Sequence, residues 1–175
     1  MRRAISAIRA IDPDRDLVLN GFNGGDEAIP ELADTGAMHS GRGYAPFTIS
    51  HYKTEFLWFE YDWPEPAWPC IFEGRLWDRD MLKENYRPWL EVEEMGVEIM
   101  MNEIGSYNKT PNDVVLRWIS DLLDVYREFK WGYALWNFKG PYGLVEHSKP
   151  GARYENIDGF NVDRVLLELL QKNKV

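Results

Sequence analysis

The chain has 175 residues, a formal net charge of −9 and a single cysteine, Cys70. Its length predicts one domain over residues 1–175, and one cysteine excludes an internal disulfide. The acidic balance argues against nucleic acid or an anionic membrane as a partner, because both bind clustered Lys and Arg.

The first residues give no targeting signal, since Arg9 interrupts the apolar stretch behind Arg2 and Arg3. We expect no membrane-spanning segment, and the sequence leaves the localisation open. Aromatic residues make up 14% of the chain and include eight Trp, several of them outside helical spacing. This pattern suits a sugar-binding cleft, and a core rich in large aromatics is the alternative explanation.

In chain order, apolar spacing of about one turn predicts a helix over residues 4–11. A short strand follows at residues 17–22, and a glycine break then leads to a helical piece at residues 29–33. The segment "APFTISHY", residues 45–52, is the next predicted strand.

Residues 53–77 mix Trp, Pro and acidic residues without a period, which predicts a long functional loop. A helix kinked at Pro88 then covers residues 82–95, and Gly96 lies at its end. The apolar run behind it predicts a buried strand that ends at Glu103.

The motif "TPND" predicts the start of another helix, with Thr110 as the N-cap and Pro111 at the first helical position. The apolar face of this helix comprises Val114, Val115, Trp118, Leu122, Val125, Tyr126 and Phe129. The segment "WGYALWNF", residues 131–138, predicts a fully buried strand, and residues 162–170 predict a terminal helix.

A helix followed by four strand-helix units implies an α/β fold with a parallel sheet. A doubly wound sheet and a (β/α)8 barrel both fit this order, but the chain has no glycine-rich nucleotide motif. The barrel places chemistry at the carboxyl ends of its strands, where His51, Glu103 and Trp136 are predicted to lie. Four units would make half of such a barrel.

Four separated segments resemble glycoside hydrolase family 5, the cellulase-like retaining barrels. They are "RGYAPFTISHY" from Arg42, "NEIG" from Asn102, "WGYALWNFKGPYG" from Trp131 and the closing "DRVLLELLQ". Their order is similar to that of the last four strand-helix units of the family's TIM barrel. The resemblance therefore implies a carboxyl-terminal half barrel that acts on a β-1,4-linked glucan or mannan.

The resemblance also assigns residues. Glu103 stands in the place of the catalytic nucleophile. Trp136, with Asn137 beside it, stands in the place of the platform under the sugar ring. His51 with Tyr52 resembles the pair that supports the nucleophile and the substrate hydroxyls. The family's His-x-Tyr spacing is not met there, because Lys53 occupies the third position.

The residues themselves leave alternatives open. A glutamate at a strand end can be a surface residue, His51 a partly buried histidine, and Trp136 a core residue. Trp58, Trp63 and Trp68 are candidates for further stacking subsites or for anchors that fix the long loop. The three histidines are dispersed, so we expect no metal and no cofactor.

Retaining hydrolysis needs a second carboxyl group about 5–5.5 Å from the nucleophile to protonate the leaving oxygen. The family carries this acid in an Asn-Glu-Pro motif at the end of its fourth strand, and that motif is absent from the chain. We expect the acid in an amino-terminal half, with which the chain pairs unless it associates with itself. The alternative function is an inactive carbohydrate-binding or assembly fragment.

Overall fold

The computed structural model describes residues 1–57 and 59–174. The strands are β1 (Val18–Asn20), β2 (Met38–Gly43), β3 (Cys70–Phe72), β4 (Arg75–Trp77), β5 (Ile99–Ile104), β6 (Gly132–Leu135), β7 (Tyr154–Ile157) and β8 (Phe160–Asp163). The helices are α1 (Arg2–Ile11), α2 (Phe47–Ser50), α3 (Arg79–Asn85), α4 (Arg87–Glu94), α5 (Asn112–Phe129) and α6 (Arg164–Lys172). Two 3-10 turns, Asn23–Gly25 and Pro30–Thr35, follow β1.

The main sheet has four parallel strands in the order β1-β2-β5-β6. Helical segments separate these strands along the chain, so the predicted α/β fold with a parallel sheet is confirmed. The strands β1 and β6 are the outer strands of this sheet among the described residues. Because parallel strands run in one direction, their carboxyl ends share one edge of the sheet.

The predicted strand over residues 45–52 is wrong, since the second strand is β2 and residues 47–50 form the single helical turn α2. The sequence of β2, "MHSGRG", lacks the apolar pattern of a buried strand. Its glycines are needed because a β-carbon at Gly41 would lie 2.9 Å from the Trp89 ring, and one at Gly43 would lie 2.3 Å from the Tyr126 hydroxyl. The backbone of β2 therefore packs against large aromatic rings, and this strand does not carry the apolar side chains that a buried strand was expected to have.

Other boundaries differ by smaller amounts. The kinked helix is two helices, α3 and α4, which meet at Tyr86 just before Pro88. The N-cap of α5 is Pro111, while the Thr110 hydroxyl donates to Ile49 O at 2.7 Å. The antiparallel hairpins β3–β4 and β7–β8 were not predicted, because each strand is only three or four residues long.

The hydrophobic core lies between the sheet and the helices, and α5 is its largest contributor. Six of the seven residues predicted for the apolar face of α5 are buried, and Phe129 is partly buried against them. The large fully buried side chains include Tyr86, Trp89, Trp118, Tyr126 and Trp131, and the hydroxyls of Tyr86 and Tyr126 are 2.7 Å apart. Much of the aromatic content therefore serves packing. In the part of the chain described, no helix is both long and apolar enough to cross a membrane.

Candidate active site

Glu103 lies at the carboxyl end of β5, and both of its carboxylate oxygens have a partner on the neighbouring strand or just beyond it. Arg42, which pairs with Glu103 in the β2–β5 register, places Nη2 3.0 Å from Oε1. The Tyr44 hydroxyl donates to Oε2 at 3.0 Å. Two donors on two different oxygens fix the plane of the carboxylate and leave it 20% exposed at the sheet edge.

The environment of Tyr44 keeps its hydroxyl a donor. Burial raises the pKa of Tyr44, and the negative charge of Glu103 raises it further, while Arg42 acts in the opposite direction. Tyr44 is therefore protonated throughout the neutral range and can only donate to Glu103. Neither Arg42 nor Tyr44 was assigned a role from the sequence.

His51 follows the α2 turn and contributes to an aromatic wall beside Tyr44. Its ring centroid lies 5.0 Å from that of Tyr44 and 5.8 Å from that of Tyr142. Its Nδ1 is 2.8 Å from the Ser50 hydroxyl. Burial lowers the pKa of His51 to about 4, so the imidazole is neutral near pH 7.

Tyr52 does not take part in this arrangement. It is buried, its ring packs edge-on against Trp63 at 5.8 Å, and the Lys53 ammonium lies 4.8 Å from its ring centroid. The tyrosine that contacts Glu103 is Tyr44. The sequence places it two residues beyond Arg42, the residue that pairs with Glu103 in the register of the sheet.

Trp136 follows β6 and is 50% exposed, so it is not a core residue. Its backbone N–H donates to Ile104 O at 2.7 Å, which places it next to the residue that follows Glu103. A β-carbon at Gly105 would lie 2.4 Å from Trp136 O, so only glycine permits this close approach. Asn137 follows through a cis peptide bond, and its buried Oδ1 has no hydrogen-bond partner among the described residues.

The tryptophans of the long loop separate into different environments. Trp68 is 5% exposed and donates Nε1–H to Asp121 Oδ2 at 2.8 Å, so it anchors the loop to α5. Trp63 is partly buried and packs against Phe47 at 5.5 Å, within an aromatic cluster of the loop. Trp58 lies outside the described residues.

A cleft of about 570 Å³ adjoins this site on the side of β1 and β2. Arg42, Tyr44 and His51 line it together with Asn23 and Asp26 from the turn after β1. The remaining lining comes mainly from α2, α3 and the β3–β4 hairpin. Polar side chains mixed with aromatic rings suit a hydroxyl-rich ligand. Among residues 1–57 and 59–174, no group of three or more His, Cys, Asp or Glu side chains is placed to hold a metal ion.

The fold and the site define an α/β protein with a parallel sheet and a partnered carboxylate at the carboxyl ends of its strands. Neither a protein-family model nor a curated protein matches the sequence. Among solved structures, the chain is 50% identical to a glycoside hydrolase, with a TM-score of 0.93 over 99% of this chain and 52% of that one.

Two more distant matches share the fold. The endoglucanase Cel5A of Thermotoga maritima, solved with mannotriose, is 19% identical, with a TM-score of 0.73 over 97% of this chain and 52% of that enzyme. The cellulose synthase subunit Z of Clostridioides difficile is 18% identical, with a TM-score of 0.70 over 96% of this chain and 53% of that protein.

The chain spans about half the length of the solved structures it matches. These matches confirm the resemblance to the glycoside hydrolases that the four motifs indicated. The chain is a glycoside hydrolase relative whose four-stranded parallel sheet corresponds to about half of a family 5 barrel.

Proposed function

We propose that this chain is the carboxyl-terminal half of the catalytic domain of a retaining glycosidase of family 5. The proposal rests on one observation above all: Arg42 and Tyr44 hold the two oxygens of Glu103 at the strand-end edge. A carboxylate fixed in this way is oriented to attack a carbon atom that a bound substrate brings within its reach. The exposed Trp136, directly after the next strand of the sheet, supports the same assignment, because its indole offers a flat surface to a sugar ring.

In the proposed reaction, a Glu103 oxygen attacks the anomeric carbon while the bond to the leaving oxygen breaks, and a general acid gives that oxygen a proton. The product of this step is a glycosyl ester of Glu103 and a free alcohol. Water, deprotonated by the same acid in its basic form, then cleaves the ester and restores the carboxylate. The attack turns one Glu103 oxygen into the ester oxygen and leaves the other as a carbonyl oxygen, which still accepts a hydrogen bond from its donor, Tyr44 or Arg42.

The general acid is the component that the sequence of this chain lacks, because the family's Asn-Glu-Pro motif does not occur in it. The Glu103 carboxylate is held by Arg42 and Tyr44, which leaves the acid to be supplied from elsewhere. We assign the acid to the remaining half of the enzyme, at the end of the fourth barrel strand, as the family resemblance implies. That half would pair with the outer strands β1 and β6 and close the barrel.

The proposed substrate is a β-1,4-linked glucan or mannan. Cel5A of Thermotoga maritima has been solved with mannotriose and with cellobiose, and its half barrel is similar to this chain. The cleft beside Arg42 is large enough for further sugar units, and its polar lining matches sugar hydroxyls. The second candidate function is a carbohydrate-binding or assembly fragment without turnover, which the missing acid favours.

A 2-deoxy-2-fluoro-β-cellobioside with a dinitrophenyl leaving group tests the nucleophile directly, because this leaving group departs without protonation. Incubation with the chain, followed by digestion and mass spectrometry, is expected to give one labelled peptide, carrying the sugar on Glu103. Glu103→Gln should remain unlabelled, and Glu98→Gln, at the amino end of the same strand, should label as the original chain does. A label on Asp26 or Glu55 would refute the assignment, and cello-oligosaccharide binding without any label would favour the second function.

A further inference from the structure

A buried polar cluster outside the proposed chemistry connects the β6–β7 loop to the rest of the fold. Its centre is His147, whose Nδ1 accepts from the backbone N–H of Lys149 at 3.1 Å. Because a backbone amide can only donate, this nitrogen carries no hydrogen, and Nε2–H donates to Asp163 Oδ2 at 3.1 Å. His147 is therefore neutral, and burial lowers its pKa.

Asp163 supplies the negative charge of the cluster. Its Oδ2 also accepts from Asn112 Nδ2 at 2.8 Å, and its Oδ1 caps α6 through Leu166 N at 3.1 Å. Burial alone would raise the pKa of Asp163, but its hydrogen bonds, first that from His147, lower it. Asp163 thus joins α5, α6 and the loop at one point.

Lys149 is the member whose role these contacts leave unexplained. Its side chain is 4% exposed, and Nζ donates to Pro141 O at 3.2 Å. Pro141 immediately precedes Tyr142, whose ring packs against Tyr44 at 6.3 Å and His51 at 5.8 Å. The Lys149 amino group is therefore bonded to the residue that precedes Tyr142, which belongs to the aromatic wall of the candidate site.

We propose that the buried amino group of Lys149 is a latch for this site: by donating to Pro141 O it holds Tyr142 against His51 and Tyr44, and it releases that segment when it takes up a proton. The latch rests on the proposed function only in taking this edge of the sheet as the active site. A neutral amine donates a weaker hydrogen bond to a carbonyl than an ammonium does, but it carries no charge, and burial penalises the charged form more than the stronger bond compensates.

Charge and burial support the direction of the switch. The titratable groups that act on Lys149 are Asp163 on β8 and His147 on the same loop, and Tyr154 on β7 joins the cluster through His147, whose Nδ1 is 3.2 Å from its hydroxyl. Burial lowers the pKa of Lys149 to about 7, and Asp163 offsets only part of that effect. A released Lys149 in water has a pKa of about 10.4, so the released form binds an additional proton between the two values. The ratio of the released form to the latched form therefore rises up to about tenfold for each unit by which the pH falls toward 7.

Hydrogen exchange of the loop amides measures this release in the intact chain. The amides of Gly143, Leu144 and Val145 are bonded to Gly140 O or Phe138 O, so their protection reports closure. Protection factors should fall by up to about tenfold per unit from pH 9 to pH 7 and level off below. Protection that is constant from pH 6 to pH 9 in the unmodified chain would overturn the latch without any variant.

His51 gives a second readout by NMR. Its pKa is lowered to about 4, so its own titration does not contribute between pH 5.5 and 8.5. Its ring signals should nevertheless shift with a midpoint near pH 7, where Lys149 changes charge. A midpoint in this range that survives in Lys149→Met would overturn the proposal.

Lys149→Met keeps the length of the side chain and removes both the donor and the charge. In this variant the protection factors of the three loop amides should be at least about tenfold lower at pH 9, and they should no longer depend on pH. Lys139→Met is the matched control, because Lys139 lies in the same loop in an exposed ion pair with Glu146 at 2.6 Å. Equal effects of the two substitutions would contradict a specific latch. None of these readouts needs turnover, so a failed fluoroglycoside experiment would refute the nucleophile and leave this inference standing.

Discussion

The Tyr44 hydroxyl donates to Glu103 Oε2 at 3.0 Å, and this bond joins the end of the second strand of the sheet to the end of the third. With Arg42 on the other oxygen, it gives the carboxylate a single orientation at the strand-end edge. This relationship decides which tyrosine matters for the proposed chemistry, and it is the basis of the first two predictions.

Tyr44→Phe should lower kcat/KM of the assembled enzyme by the equivalent of about 1.5–3 kcal/mol, the range for a hydrogen bond to a charged group. Tyr52→Phe is the comparison, because Tyr52 is buried against Trp63 and makes no contact with Glu103. Steady-state kinetics on a cello-oligosaccharide would measure both. A larger loss in Tyr52→Phe than in Tyr44→Phe would restore the assignment made from the sequence.

Glu103→Gln should abolish turnover in the assembled enzyme and preserve oligosaccharide binding, since the amide keeps the shape of the side chain but is not a nucleophile. Hydrolysis assays and calorimetric titration of the same preparation would separate the two effects. Activity above a few per cent of the original would rule out the nucleophile role, and Glu98→Gln should behave as the original enzyme does.

Trp136→Ala should weaken oligosaccharide binding by about 1–3 kcal/mol, by analogy with stacking on other planar ligands. Its free energy of unfolding should change little, because half of the side chain is already exposed. Trp118→Ala is the opposite control: its indole is fully buried, and its loss should cost about 3–5 kcal/mol of stability. An unchanged oligosaccharide affinity in Trp136→Ala would refute the role of Trp136 as the platform under the sugar ring.

The stability of the chain should fall in acid partly through His51. Burial lowers its pKa in the folded state to about 4, below the ordinary value of 6.5, so its contribution is complete above pH 6.5 and is lost as the pH falls toward 4. With allowance for partial exposure, the loss by pH 4.5 is about 1–2 kcal/mol. Urea unfolding at pH 7 and pH 4.5 should show this difference in the original chain and a smaller one in His51→Gln. Equal losses in the two proteins would show that His51 does not contribute.

The 175 residues tested by themselves should show no appreciable hydrolysis of unactivated cello- or manno-oligosaccharides. General acid catalysis contributes about 10²–10⁴-fold, and the Asn-Glu-Pro motif that carries the family's acid is absent from these residues. Among residues 1–57 and 59–174, the outer edges of β1 and β6 pair with no further strand, so sedimentation should detect self-association. Hydrolysis by a verified monomer, lost in Glu103→Gln, would contradict this expectation and require an acid within the chain.

The alternation of strands with helices, the long apolar face of α5 and the position of Glu103 were determined by the sequence, because each depends on local periodicity or on a motif. Apolar residues at helical spacing have to face a core wherever the helix lies. A polar residue at the end of a buried parallel strand likewise has to emerge at the strand-end edge of the sheet.

Only the tertiary structure decided which residue types form β2 and which side chains bind Glu103. The strand "MHSGRG" owes its glycines to the rings of Trp89 and Tyr126, which are distant in sequence and adjacent in space. The same register across β2 and β5 brings Arg42 and Tyr44 to Glu103 and leaves Tyr52 in the packing of the loop. Trp68 and Trp136 are the same residue type, yet one is bonded to α5 and the other is exposed. Such differences arise from contacts between distant segments, which local sequence patterns do not encode.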